Sequence, residues 1–241
     1  MDTAISINKF DATINEIIVV NEKIKIFRFS GIESFNFIPG QFVMASIPGF
    51  NTDKGIPIKR AFSIASKPKD NQIELCIECK NTGGFSEKIF SMKVGDKIIM
   101  VGPYGKFILN SDLSKNSVFL AAGVGIAPLM CMIRHSIHNN GSGKLLLLYS
   151  FREVNDFAYR EELDKYTKKG NFKIVPFLTT KNNVKWNNER GRIDEERIRK
   201  YITDINSEFY ICGGNEFNQE MSQLLQNIGV DKQRIHKEAF W

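Results

Sequence analysis

Cysteine, histidine and tryptophan are all scarce in this chain: four, three and two residues among 241. Cys76, Cys79, Cys131 and Cys212 are scattered too unevenly to form a disulfide framework, which points to a reducing compartment. The one close pair, Cys76-x-x-Cys79, lies in the strand-like run QIELCIECK. A separation of three there puts the two sulfurs on opposite faces, and no second pair follows, so no metal site is expected. His135 and His138 are three apart on a helical pattern, but no carboxylate is spaced to join them, and a surface helix is the expectation. Long hydrophobic runs are missing as well. The longest apolar stretch, Val118 to Ile133, is interrupted by Gly123, Gly125 and Pro128 and falls short of the roughly 20 residues of a membrane span. The first residues, MDTAISINKFDATINEI, lack a basic start followed by an apolar run, so no export signal is expected and the expected compartment is cytoplasmic.

Charge of one sign is not concentrated anywhere. The net charge of +6 divides into 14 basic against 11 acidic residues before position 111 and 19 against 16 after it. Without a basic tail or block, nucleic acid is not expected as a partner. A mildly basic surface does suit an acidic protein, and Lys54, Lys59, Lys67 and Lys69 are candidates for a docking rim or for plain solvated charge.

What the chain does contain changes character near residue 110. Residues 5 to about 108 read as β-rich runs with turns between them: ATINEIIVV, EKIKIFRFS, FNFIPGQFVMASIPG, KRAFSIAS, QIELCIEC and KIIMVGPYGKFIL. Such spacing indicates an antiparallel barrel or sandwich. After the polar run at 110–116, short apolar strands alternate with helical stretches to the end: SVFLAAG, GVGIAPLMCMIRHSIHNN, KLLLLYS, NDFAYREELDKYTKK, FKIVPFL, DEERIRKYI, SEFYICGG, NEFNQEMSQLLQNIG and RIHKEAFW. That alternation predicts an α/β layer structure with a mainly parallel sheet. At 241 residues two modest domains are expected, 1–110 and 111–241.

Four groups of residues carry chemistry. In Arg60-x-Phe62-Ser63 a cation, an aromatic ring and a hydroxyl fall within four residues of a strand, with Arg60 and Phe62 on one face and Ser63 on the other. A flavin dinucleotide needs such a set: a cation for the pyrophosphate, a flat apolar surface for the ring, a small hydroxyl near its reactive edge. The bland alternative is an edge-strand Arg beside a core Phe. Gly83-Gly84 runs into the short helix FSEKIF, where free backbone N–H groups make either an anion site or a plain capped turn. Gly123-Val124-Gly125-Ile126-Ala127-Pro128 joins the first strand of the second half to its first helix, and Cys212-Gly213-Gly214 ends the strand SEFYICGG. Glycines at the carboxyl ends of parallel strands let a phosphate approach the backbone, and ligands of such sheets bind there.

Taken in order, Arg60-x-Phe62-Ser63, Gly83-Gly84-x-Ser86, Gly102-Pro103-x-Gly105-x-Phe107, Gly123-x-Gly125-x-Ala127-Pro128, Ser150-x-Arg152, Cys212-Gly213-Gly214 and Glu238-x-Phe240-Trp241 resemble the ferredoxin–NADP reductase superfamily of FAD-dependent oxidoreductases. The resemblance covers nearly the whole chain. It implies a flavin-binding antiparallel barrel of six strands followed by a nucleotide-binding α/β domain, with FAD and NAD(P)H as cofactors. It also implies roles for single residues. Arg60 would hold the FAD pyrophosphate, completed by Gly83, Gly84 and Ser86 at the short helix. Phe62 would stack on the flavin and Ser63 would lie near flavin N5. Phe62 stands where a Tyr is usual, which removes one hydrogen bond of about 1 kcal/mol. Gly123 and Gly125 would receive the nicotinamide nucleotide, with Cys212 and Gly213 at the nicotinamide ring. Phe240 and Trp241 would lie against the cofactor. Glu238 is either a polar group near the nicotinamide or an ordinary surface Glu. Arg152 is open between a 2′-phosphate, a ribose and a pair with Asp156, so NADH and NADPH both stay open.

The implied activity is hydride transfer from NAD(P)H to FAD and then single-electron transfer to a separate acceptor such as ferredoxin or flavodoxin. No Cys-x4-Cys-x2-Cys segment supplies a fused plant-type cluster, so the acceptor is expected to be separate. The alternatives are an electron-transfer subunit of a larger redox complex and a reductase of free flavin. Oligomeric state is not legible in the sequence.

Overall fold

The computed structural model describes residues 6–32, 35–79, 84–181 and 184–240. The chain folds as two compact units, Met1–Leu109 with Met130–His135, and Asn110–Leu129 with Ser136–Trp241.

The first unit is built on β1 (Asn8–Val19), β2 (Ile24–Ser30), β3 (Phe42–Asn51), β4 (Pro57–Ser63), β5 (Ile73–Glu78) and β6 (Lys97–Tyr104), with one short helix, α1 (Phe85–Phe90). The strands form a six-stranded sheet in the order β4-β3-β6-β1-β2-β5, and every pairing is antiparallel. The two edge strands, β4 and β5, lie in contact, which curls the sheet towards a barrel. Alternation of side chains turns Phe27, Phe29, Leu75, Ile98 and Met100 into one core, which Phe85 of α1 and Cys131 also enter. Fully burying one such Phe or Leu contributes about 1.5–3 kcal/mol.

Two charged groups, Glu74 and Arg134, are buried among the described residues of this unit. Glu74 on β5 accepts from Arg134 Nη1 at 2.6 Å and from Arg28 Nε at 2.7 Å. Arg134 also donates to the Ala65 carbonyl at 2.8 Å, fixing the chain just beyond β4.

The second unit holds β7 (Ser117–Ala122), the two ends of α2 (Ile126–His138, of which Met130–His135 belongs to the first unit), β8 (Leu145–Phe151), α3 (Arg160–Thr167), β9 (Phe172–Leu178), β10 (Glu189–Arg190), α4 (Glu195–Tyr201), β11 (Glu208–Gly214), α5 (Asn215–Asn227) and β12 (Ile235–Phe240). All six strands are parallel, in the order β10-β9-β8-β7-β11-β12. The continuous apolar runs SVFLAA, LLLLYSF and EFYICG are strands covered on both faces, as a parallel sheet requires. The chain steps outward from β7 to β10 and then returns to the other side of β7 for β11 and β12. That reversal at β7 is a topological switch point, where sheets of this type take their ligands.

Three details depart from expectation. Gly123–Gly125 forms a separate 3₁₀ turn, and α2 begins only at Ile126. α2 is not a surface helix: its residues from Ile126 to Arg134 are buried and His135 is half-buried. Burial, with the nearby charges of Lys67 and Lys69, pushes the His135 pKa below its ordinary value. The two-residue strand β10 has no counterpart in the sequence reading, and Cys212-Gly213-Gly214 closes the fifth strand of this sheet in chain order.

Candidate functional site

At the switch point two turns meet through glycine. The chain leaves β7 in extended conformation at Ala122 and turns through Gly123 at φ +53°. That left-handed conformation favours glycine, and a Cβ added there would meet nothing within 4 Å, so the space above the turn is open. Gly125 is glycine for another reason. A Cβ on it would stand 2.2 Å from the Cys212 carbonyl oxygen and 2.9 Å from the Gly213 nitrogen, both backbone atoms. Gly213 answers from the other side: its Cβ would stand 3.0 Å from Ala122 Cβ and 2.7 Å from the Phe217 ring. Tyr149 on β8 secures the first turn by donating to the Gly123 carbonyl at 3.1 Å. No acidic residue stands in the first turn of α2, so its N-terminal partial positive charge remains available to an anion.

Cys212 is fully buried, and burial, with the Glu238 charge adding, pushes its thiol well above the ordinary range. In register Cys212 stands opposite Ala121 on one side and Glu238 on the other. Glu238 is half-buried, and its carbonyl accepts from Asn218 Nδ2 at 2.7 Å. The structure therefore brings Gly123, Gly125, Cys212, Gly213 and Glu238 together. Phe240 ends β12 with its backbone opposite Gly214. Trp241 lies outside the described residues, as does Gly83.

In the first unit, β4 is a sheet edge, and Lys59, Arg60 and Ala61 on it are exposed. Among the described residues Arg60 is held by a 2.9 Å bond from its own Nη1 to the Lys59 carbonyl, and its side chain is exposed. Phe62 is half-buried with its ring centroid 5.7 Å from that of Phe85, the first residue of α1. Ser63 is buried, opposite Phe42. Gly84 caps α1 without a side-chain hydrogen bond, and Ser86 is half-buried in its first turn. Phe62 thus links the two groups predicted for flavin: its strand carries Arg60 and Ser63, and its ring packs on the helix that carries Gly84 and Ser86. An accessible cation beside an aromatic ring on an open edge fits FAD, and the open glycine turn before an acid-free helix start fits a nicotinamide nucleotide.

Sequence reading missed a cavity of about 300 Å³ in the second unit, lined by Ser150, Thr179, Arg192, Glu216, Phe217 and Glu220 among others. It lies at the carboxyl ends of β8, β9 and β11. Ser150 was singled out, but its neighbour Arg152 is exposed and lies outside this lining. The Asp156 carboxylate accepts from the Glu153 nitrogen at 2.9 Å. The one sequence signal for the cavity was Gly191-Arg192-Ile193 following a polar loop. A larger cavity, about 340 Å³, opens at the amino ends of β7, β8 and β9. Strand polarity, not volume, marks the ligand end of such a sheet.

Of the four lysines considered for docking, Lys54, Lys59 and Lys69 are exposed, while Lys67 pairs with Asp70. All four cysteines are free thiols, and among the described residues no group of three or more His, Cys, Asp or Glu is placed to hold a metal ion. No helix among them is long and apolar enough to cross a membrane.

Residues 11–108 match the family described as the oxidoreductase FAD-binding domain, and residues 119–223 match the oxidoreductase NAD-binding domain. Flavohemoprotein B of Dictyostelium discoideum is 30% identical over 235 residues, covering 88% of this chain and 54% of that protein, so the chain spans about half of that relative's length. Ferredoxin–NADP reductase B of Sorangium cellulosum is 26% identical over 216 residues, covering 86% of this chain and 87% of the other. Among solved structures, a ferredoxin NADP+ reductase from Neisseria gonorrhoeae with bound FAD and NADP superposes with a TM-score of 0.83 at 22% identity, covering 97% of this chain and 99% of that one. The ferredoxin reductase in carbazole 1,9a-dioxygenase gives 0.85 at 22% identity, covering 99% and 71%. The antiparallel unit with its open edge, the parallel unit with its glycine switch point and these two family matches agree: the chain belongs to the ferredoxin–NADP reductase superfamily, the FAD- and NAD(P)H-dependent oxidoreductases.

Proposed function

We propose that the chain oxidises a reduced nicotinamide nucleotide and delivers the electrons one at a time to a separate redox protein such as a ferredoxin or flavodoxin. The observation that carries this reading is the switch point. There Gly125 and Gly213 let two turns close on each other beneath an open, acid-free helix start, next to Cys212 and Glu238. FAD, when bound, supplies the acceptance of a hydride at N5 and the release of single electrons.

The chain's own residues bind and orient. Residues 1–110 serve the flavin: Arg60, Gly83, Gly84 and Ser86 hold its pyrophosphate, Phe62 flanks its ring, and Ser63 offers a hydroxyl near N5. Residues 111–241 serve the nicotinamide nucleotide: Gly123 and Gly125 admit its phosphates, and Cys212, Gly213 and Glu238 face its ring. Phe240 and Trp241 cover the cofactor. Because its thiol stays protonated, Cys212 acts as a neutral, polarisable contact and not as a nucleophile. The net charge of +6 and the exposed Lys54 and Lys59 favour an acidic acceptor. Four free thiols agree with a reducing, cytoplasmic setting.

A second reading, a subunit of a larger redox complex, is supported by a 28% identity over 247 residues with the sulfhydrogenase 2 subunit gamma of Pyrococcus furiosus, 82% of which is covered. The absorption spectrum of the purified protein, before and after anaerobic NADH or NADPH, tests the first reading. A flavin spectrum that bleaches is expected; a colourless protein that also fails to take up added FAD refutes it. Native mass measurement on the same sample separates a stand-alone enzyme from a subunit. In Arg60→Ala, flavin affinity is expected to fall by about 1.5–3 kcal/mol, the worth of a charge-assisted hydrogen bond.

A further inference from the structure

The two edges of the curled antiparallel sheet meet at a seam. β4 and β5 are those edges, and among the described residues they share no ladder. What joins them lies just past the end of β4 and centres on Glu74 of β5. The Ala65 N–H donates to the Glu74 carbonyl at 2.8 Å, and the Glu74 N–H donates to Ser66 Oγ at 3.1 Å. Arg134, from the part of α2 that folds with this unit, completes the seam. Its Nη1 donates to the Ala65 carbonyl at 2.8 Å and to the Glu74 carboxylate at 2.6 Å. Ala65, Ser66, Glu74 and Arg134 are all buried.

A buried ion pair is a poor device for stability. Desolvation of the two charges offsets their attraction, and apolar side chains of similar volume hold a core as well. It is a better device for fixing geometry. The guanidinium is planar and its donors point in set directions, so one nitrogen engaged by both the carboxylate and the Ala65 carbonyl leaves the seam little freedom. The carboxylate is held from its other side too. Arg28 Nε donates to Glu74 at 2.7 Å, and Arg28 is tied in turn to Glu16 at 2.7 Å. Ser63 lies two residues before the Ala65 carbonyl, and the Ile64 N–H between them donates to the Gln41 carbonyl at 3.0 Å. A segment pinned at such short intervals passes its placement on to Ser63.

We propose that Glu74 and Arg134 are positioning residues for the flavin: by locking the seam they hold the Ser63 hydroxyl at the place it takes beside the ring's reactive edge. This rests on the oxidoreductase reading above and on its assignment of Ser63. The pair acts through the backbone of residues 64–66 and not by contact with the cofactor. Arg60, Gly84 and Ser86 stand outside the seam. Without the pair, FAD is therefore still taken up, but its ring is less well ordered against Ser63.

The double variant Glu74→Leu, Arg134→Met removes both charges at similar volume and is expected to melt close to the wild type. Amide hydrogen exchange, read before FAD is added, should show lost protection at Ala65 and Glu74. The visible circular dichroism of bound FAD should lose intensity. Anaerobic bleaching by NADH or NADPH should slow about tenfold or more, since a misplacement of about 1 Å costs on the order of a hundredfold. Ser63→Ala shows whether the pair works through Ser63: it should slow bleaching in the wild type and add nothing in the double variant. A folded double variant with wild-type exchange, dichroism and bleaching rate overturns the inference. So does a Ser63→Ala loss of equal size in both backgrounds. Arg134→Lys keeps the test open where the double variant does not fold. Its ammonium preserves the charge balance but sits one bond short of holding Glu74 and Ala65 together, so the dichroism should fall there too, and wild-type dichroism counts equally against the inference. A wild-type protein that takes up no FAD, or whose FAD no nicotinamide bleaches, brings down the oxidoreductase reading and the inference together. Bleaching by wild type and double variant at equal rates brings down the inference alone.

Discussion

Two strand-to-helix turns stand side by side in the middle of the parallel sheet, one from β7 into α2 and one from β11 into α5. Both rely on glycine, and the helices that follow are both 13 residues long. In the first, Gly123 takes a left-handed conformation under open space, and no acid follows in the first turn of α2. In the second, Gly213 is pressed against Ala122 and Phe217, and Glu216 stands in the first turn of α5. The same local architecture thus offers one helix start to an anion and closes the other with a charge of its own. A helix N-terminus is a phosphate site only where the chain has not already filled it, so one acidic side chain is what separates the two turns.

The contact between the turns is the place where a single atom has the largest expected effect. In Gly125→Ala the new Cβ meets the Cys212 carbonyl at 2.2 Å, and backbone has nowhere to retreat. Overpacking of this kind costs about 1–3 kcal/mol and forces the turns apart. The expected outcome is a lowered melting temperature with nicotinamide-nucleotide affinity reduced and the flavin spectrum retained. Gly213→Ala should cost less, because its closest neighbour is the ring of Phe217, which can swing, and not backbone. Equal effects of the two substitutions would show that the turns do not depend on their mutual packing.

Most of this comparison was legible in the sequence, and the rest was hidden for identifiable reasons. Glycines 123, 125, 213 and 214, set after apolar runs, announce strand ends directly, and continuous runs such as LLLLYSF announce strands covered on both faces. β10 was invisible because two residues carry no periodicity. The two histidines of α2 point to a surface helix, whereas its other residues are almost all apolar and set its burial. The cavity that sets Arg192 against Glu216 and Glu220 draws on β8, the chain after β9, the chain after β10 and α5, and no spacing rule connects residues so far apart. Likewise the pairing of Cys212 with Glu238 is a matter of strand register, which exists only once β12 has docked beside β11.

Each turn also has a buried thiol near it, and the two allow a test by pH. Cys212 closes the second turn, and Cys131 lies on the helix that follows the first, its thiol pushed up by burial to about 12. A folded pKa above the unfolded one contributes stability that is fully present below the unfolded value, near 8.5, and is lost as pH rises from there towards the folded value. Unfolding free energy in reducing buffer should therefore fall between pH 8 and 10, by about 1 kcal/mol per thiol at pH 9 to 9.5. Cys212→Ala starts from a lower stability, since it leaves a small cavity, but should show a shallower fall. Parallel curves for variant and wild type would mean that Cys212 ionises in the folded state and that its burial is incomplete.

The smallest expected effect cuts closest to the comparison. Val124→Asp places a carboxylate in the turn before α2, at a half-buried position, and gives the first turn the charge that Glu216 gives the second. Val124 is not a glycine, so no left-handed conformation is lost, and its side chain is not part of the fully buried core. If the acid-free helix start is what admits the nucleotide phosphates, the new charge should weaken binding by about 0.3–1 kcal/mol, the usual worth of a charge at a helix end, or roughly two- to fivefold in affinity. Raising the salt concentration should recover part of the loss. Val124→Asn, of nearly the same shape but neutral, separates charge from packing: it should bind the nucleotide close to wild type. Equal losses in the Asp and Asn variants, insensitive to salt, would assign Val124 to packing alone and leave the difference between the two turns without electrostatic consequence.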